Sequence, residues 1–563
     1  MKFSEMPYKR PDLEETKQTL TALIGEIQTA KTPADAFETY RKYDELSSYF
    51  GTMGGLAYTR HTLDTTDKFY DDEKSFFDEA GPVLGEFTQN FEKALVASPH
   101  RAAMEEKFGT LMFTNIEMSL KTFSPENIPD SQMENKLCSD YAKLLASAQI
   151  EFRGGTYTLA QMGPFHENPD RETRKAARAA VAGWCEAQKG ELDRLFSELV
   201  AVRDRMAKRL GYQTFTELGY YRMTRNSYDE AMVKTFRDQI VKYVVPVSER
   251  LKAEKAKRIG VERITVYDDA LDFLSGNAKP QGTPDDIFAH GKKMYTELSP
   301  ETEEFFNFML ENELFDVLTR KGKSVGGYCI TLYAFKSPFI FANFNGTAGD
   351  VDVLTHEAGH AFASYRARDI HPTNLQYYTN ETAEVHSMSM EFFTWPWMEG
   401  FFGGQTAKYR YTHLSGALTF LPYGTMVDEF QHHIYANPDW SPEQRNNCWL
   451  SLEAKYRPYL DNDFDFYREG RRWQLQAHIY ERPFYYIDYC LAQTMALAFW
   501  AASQKDYKEA WDKYLRFVGY AGTKTFTELV EGAGLPSPFA EGCLDGVSSV
   551  ATEWLDGNPV ADA

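Results

Sequence analysis

From residue 1 to residue 250, hydrophobic residues recur mostly at three- and four-residue steps. In "ELDRLFSELVAVRDRMAKRLG" the apolar positions Leu192, Leu195, Phe196, Leu199, Met206 and Leu210 line one helix face, and Gly211 ends the run. Short breaks such as "SPENIPD" and "RGG" separate further helices of the same kind, and "LSGNAKPQGTPDD" (274–286) is the clearest loop. Between 326 and 345 the pattern changes. "GGYCITLY" and "PFIFANFNG" are short, β-branched and aromatic, bounded by Gly and Pro, and predict two strands of a small sheet. A helix follows, with Asp350 as its expected N-cap and "VDVLTHEAGHAFASYRAR" as its body. "NETAEVHSMSMEFFTW" predicts another, ended near Pro396. Beyond it the chain is again mainly helical. The expected fold class is mainly α, with a small β-sheet beside the helix that carries "HEAGH".

A chain of 563 residues is too long for one simple core, and at roughly 150 residues per domain it predicts two to four lobes. Hydrophobic residues make up 43% and charged residues 25%, the balance of an ordinary globular protein. The formal charge of -21 repels nucleic acid and anionic membranes, so neither is an expected partner. No apolar run reaches the roughly 18 residues of a transmembrane helix. The opening "MKFSEMPYKRPDLEE" lacks the apolar core of a secretory signal. Cys138, Cys185, Cys329, Cys448, Cys490 and Cys543 show no CxxC spacing and read as reduced thiols of a cytoplasmic protein.

The chemistry concentrates in "VLTHEAGHAF". On a helix His356 and His360, four apart, turn ring nitrogens to one side, where both can bind a single Zn2+ ion. Glu357 sits about 100° further round, where its carboxylate reaches water at that ion without being a ligand. These are the parts of a zinc hydrolase with its own general base. A catalytic zinc needs a third protein ligand. The residues after His360, "AFASYR", exclude the HExxHxxGxxH pattern. An acidic ligand from the next helix remains, and Glu381, Glu384 and Glu391 share one face of it. Met388, Met390, Phe392 and Phe393 border that face, so it is not a simple solvated stripe. His386 lies off it and reads as structural. His432 and His433 are adjacent and diverge on a helix, which disfavours a second metal.

"HEAGHAF" followed by "ETAEVHSMSMEFF" resembles the oligoendopeptidase F and thimet oligopeptidase family of zinc metallopeptidases, most closely its oligoendopeptidase F and Pz-peptidase branch. The resemblance implies two helical lobes around a deep substrate channel, an N-terminal lobe over 1–200 and a catalytic domain over 201–563. It implies one zinc per chain held by His356, His360 and Glu384, with Glu391 at the place of a further acidic residue. "FIFANFNGTAGDVDVLTHEAGH" resembles the strand and loop leading into the metal helix. "QAHIYERPFYYIDYCLAQ" resembles a downstream segment whose His and Tyr residues face the metal, which implies site roles for His478, Tyr486 and Tyr489, with Tyr485 a rival. The chain departs from the thimet branch in having "IYERPF", without glycine, where that branch has a Gly-rich run. The implied activity is zinc-dependent cleavage of internal bonds in short peptides, with Glu357 as general base. A zinc carboxypeptidase or dipeptidase would use the same ligands but needs a cationic group for the substrate's terminal carboxylate. An inactive peptide-binding protein would have no use for Glu357.

Overall fold

The computed structural model describes residues 1–324 and 326–560, apart from the Pro82 side chain. The chain is mostly helical with only small sheets. Its contacts cluster into two compact units, each assembled from three stretches: Met1–Lys121, Lys279–Gly404 and Ala502–Leu535 in the first, Thr122–Ala278, Gln405–Ala501 and Pro536–Ala563 in the second. Residue 200, where the resemblance puts a boundary, lies inside the continuous helix Arg171–Arg209.

In the first unit, helices Leu13–Thr29, Pro33–Leu63 and Lys68–Val96 open on the N-caps Asp12, Thr32 and Asp67, whose side chains accept from the first free backbone amides. Their inward rows, among them Leu20, Leu23, Ile27, Tyr40, Phe91 and Leu95, form one apolar core. The sheet has three strands: β1 (Phe315–Leu318), β2 (Tyr328–Leu332) and β3 (Ser337–Phe344). β3 is central, parallel to β1 and antiparallel to β2. It is buried at every position but Asn343, which explains a run of apolar residues without alternation. β1, with only "FDVL", is separated by three residues from the helix Pro300–Glu311 and shows no strand pattern of its own in sequence.

Helix α1 (Gly349–Ala367) carries the two histidines and packs on β3 and β2. Asp350 is not its N-cap, as the sequence reading had it, but lies within its first turn. Its carboxylate reaches back to accept from the Asn345 (2.8 Å) and Gly346 (2.7 Å) amides, so it ties down the loop out of β3. Helix α2 (Asn380–Phe393) lies against α1. The close approach depends on Gly359, where a Cβ would stand 2.5 Å from Ser387 Cα and 2.8 Å from the His386 carbonyl oxygen. Helix α3 (Tyr507–Gly519) backs the pair: the Tyr514 hydroxyl donates to the His386 carbonyl (2.7 Å), and Phe393 meets Trp511 edge-on.

In the second unit the helix Arg171–Arg209 buries Leu192, Leu195, Phe196, Leu199 and Met206, as its periodicity predicts. Gly211 beyond it adopts φ +88°, the left-handed conformation that ends helices. Helices Thr406–Ala436 and Tyr486–Ser503 belong to the same unit up to residue 501. No helix among the described residues is long and apolar enough to cross a membrane.

Candidate active site

The α1–α2 packing brings His356, His360 and Glu384 together, with candidate ligand atoms all within 4.8 Å of one another. This is the only such group of metal-ligating side chains among the described residues. Glu384 Oε2 lies 3.4 Å from His356 Nε2 and 3.7 Å from His360 Nε2. Two atoms about 2.0–2.1 Å from one tetrahedral zinc stand about 3.4 Å apart, so this donor set fits such an ion. Glu381, on the same helix face, is buried and accepts from the Thr379 hydroxyl. The acidic stripe is thus an interior feature, with Glu384 turned toward both histidines.

Glu391 is a partner whose role the sequence left open. His356 Nδ1 lies 2.6 Å from its Oε1. Donation from Nδ1–H leaves Nε2 as the ligand nitrogen and fixes the ring's rotation. Burial disfavours a charged His356, but its hydrogen bonds to Glu384 and Glu391 win and raise its pKa well above the usual imidazole range. His360 goes the other way: burial pushes it down to about 4, and it stays a neutral donor. We expect Glu391→Ala to weaken zinc affinity by about 10–100-fold while leaving the three ligands in place. Competition with a chelator of known affinity measures this, and an unchanged constant would remove Glu391 from the site.

Glu357 is not one of the three candidate donors. It is buried, and its Oε2 has no hydrogen-bond partner. Burial raises its pKa to about 7; His356 opposes that shift, and the Glu384 and Glu391 carboxylates add to it. Gly327, just before β2, flanks the other oxygen: a Cβ there would stand 3.7 Å from Oε1, an ordinary contact distance. A carboxylate with one unpartnered oxygen, poised near neutrality, is suited to take a proton from water.

The remaining sequence candidates gather in the second unit. His478 packs against Tyr485 (ring centroids 5.7 Å, 6° between planes), Tyr486 (5.0 Å) and Tyr489 (5.7 Å). Tyr485 belongs to this cluster as fully as the two tyrosines the resemblance implies. The Tyr423 hydroxyl donates to Gln476 Oε1 (2.7 Å), and Gln476 Nε2 to His478 Nδ1 (3.0 Å). That relay, unforeseen in sequence although Gln476 is only two residues from His478, leaves the proton on His478 Nε2. Burial first, then neighbouring Tyr423, raises the Tyr486 pKa, so its phenol stays a neutral donor. His386 is structural: fully buried against Tyr378 and Phe517 and pushed down to about 3 by burial. His432 is held between Asp428 and Glu230.

Residues 165–548 match peptidase family M3, and residues 3–123 match the peptidase M3 N-terminal domain. The oligopeptidase PepF of Bacillus subtilis (strain 168) is 23% identical over 545 residues, spanning 90% of this chain and 79% of its own. Among solved structures, Pz peptidase A with an inhibitor is 46% identical over the whole of both chains, with a TM-score of 0.95. A candidate oligoendopeptidase F from Bacillus anthracis str. Ames is also 46% identical, covering 99% of this chain and 98% of its own, with a TM-score of 0.90.

Proposed function

As a chain that belongs to peptidase family M3 and is therefore a peptidase, the protein is, we propose, a zinc-dependent oligoendopeptidase that cuts internal bonds of short peptides. The observation that carries this reading is the convergence of His356, His360 and Glu384, with Glu357 next in sequence to His356 and its Oε2 unpartnered. Bound there, zinc supplies a Lewis acid that acidifies water and polarises the scissile carbonyl. Glu357 takes the proton from the attacking water. It then delivers that proton to the leaving amine, so one residue serves as base and acid. The O–H groups of Tyr486, Tyr489 or Tyr485, and the Nε2–H of His478, are the donors assigned to the oxyanion that develops. The limit to short peptides is supported by the names of the relatives, oligopeptidase and oligoendopeptidase. All six cysteines are unpaired, which supports a reducing, cytoplasmic compartment.

A ten-residue peptide blocked at both ends tests this reading. Product masses are expected to show internal cuts, while an intact folded domain is left uncut. Cleavage that requires a free C-terminus would make the protein an exopeptidase. Tight binding with no turnover by the zinc-loaded protein would make it a peptide carrier.

A further inference from the structure

One residue of the tyrosine segment has a backbone that its side chain does not favour. Phe484 adopts φ +67°, the left-handed region, although it is neither Gly nor Asn. Such conformations persist only where the surroundings over-determine them. Here they do so on three sides, all within the second unit. The Phe484 amide donates to Gln431 Oε1 (2.9 Å). Its carbonyl accepts from Arg225 Nη2, which also donates to Asp488 Oδ1 (2.9 Å). Its ring is fully buried and rests on the backbone of Gly219, where a Cβ would stand 2.6 Å from Phe484 Cδ2. Arg225 and Asp488 are themselves buried, and the Tyr228 hydroxyl is a second donor to Asp488 Oδ1 (3.1 Å).

What this arrangement joins is specific. The short helix Ala477–Glu481 carries His478, and the helix Tyr486–Ser503 starts with Tyr486. Phe484 is the joint between them, so its dihedral angles set how His478 faces Tyr485, Tyr486 and Tyr489. Asp488 lies on the first turn of the tyrosine helix, so Arg225 grips the joint and that helix with one nitrogen. Gly219, in the middle of the helix Phe215–Arg222, works against the stability of that helix, and the group that a Cβ there would strike is the Phe484 ring.

We propose that Gly219, Arg225, Gln431 and Asp488 are positioning residues that lock Phe484 in its left-handed conformation and thereby fix the mutual orientation of His478, Tyr485, Tyr486 and Tyr489. The inference rests on the reading of those tyrosines as oxyanion donors. None of these residues is among the three converging donors, so the clamp is expected to act on turnover and not on zinc content.

The experiment uses the full-length zinc-loaded protein and a blocked peptide. Gly219→Ala displaces the ring and leaves every charge in place; Gln431→Met removes the amide's acceptor and serves if Gly219→Ala does not fold. Each is expected to lower kcat by about tenfold or more, since a misplacement of about 1 Å suffices for that, with KM and zinc content unchanged. The same substitutions are then made in whichever of Tyr485→Phe, Tyr486→Phe and Tyr489→Phe is slowest. There the further loss should shrink to within about twofold, because residues acting through one group are not additive. A full, multiplicative loss in that background would show a general structural role and overturn the proposal. If a tyrosine variant is slow while both clamp variants keep the parent kcat, the clamp alone is wrong. If none of the three tyrosine variants is slow, the oxyanion reading fails by itself, and the clamp has nothing to position and falls with it.

Discussion

Glu357→Gln is expected to keep one zinc per chain and near-normal peptide affinity, yet lose at least about a hundredfold in turnover. The amide matches the carboxylate in size, so the packing of α1 against the sheet is undisturbed. Glu357 is not among the three converging donors, so the metal site survives. What disappears is proton acceptance, since an amide nitrogen offers no lone pair and an amide oxygen is a far weaker base. General acid–base help is typically worth 10²–10⁴-fold, and in the proposed mechanism one residue serves two steps. The parent kcat and the zinc content of the variant are measured together. A zinc-replete variant within about fivefold of the parent would show that Glu357 is not the base, and the mechanism would be wrong even if the metal site were right.

Glu384→Ala acts on the metal itself. Loss of an outer partner such as Glu391 costs about 10–100-fold in affinity, so loss of a direct ligand should cost more than about a hundredfold. Activity is expected to vanish with the metal and to return in part at high added zinc. Glu381→Ala is the control, since Glu381 is equally buried on the same helix face but engages Thr379. Full zinc content in Glu384→Ala, with loss in Glu381→Ala, would exchange the two assignments.

The parts legible in the sequence are those written in local periodicity. The α1 and α2 patterns, the two strands before them and the i, i+4 histidines follow from residue spacing alone. Other features depend on what approaches from elsewhere. Glu381, Glu384 and Glu391 share a helix face, so spacing cannot choose between them. The choice comes from how α2 is rotated against α1, and that depends on the contact at Gly359. Asp350 reads as an N-cap because its type and place fit, but two loop amides claim its carboxylate. β1 is invisible because four residues gain strand form only by pairing with β3. The division into units is likewise not linear, because helices distant in sequence pack together. His478 and the tyrosines were reached through a family resemblance, and the left-handed Phe484 that joins them could not be read at all: Arg225 and Gln431, far away in sequence, impose it.

The central claim is that His356, His360 and Glu384 form one catalytic metal site. It is tested most directly by removing metal with a chelator and titrating zinc back while following cleavage of the blocked peptide. The account predicts no cleavage by the stripped protein and a linear return of activity that levels off at one zinc per chain. Undiminished cleavage by the metal-free protein, or a rise that continues to two ions per chain, would contradict it.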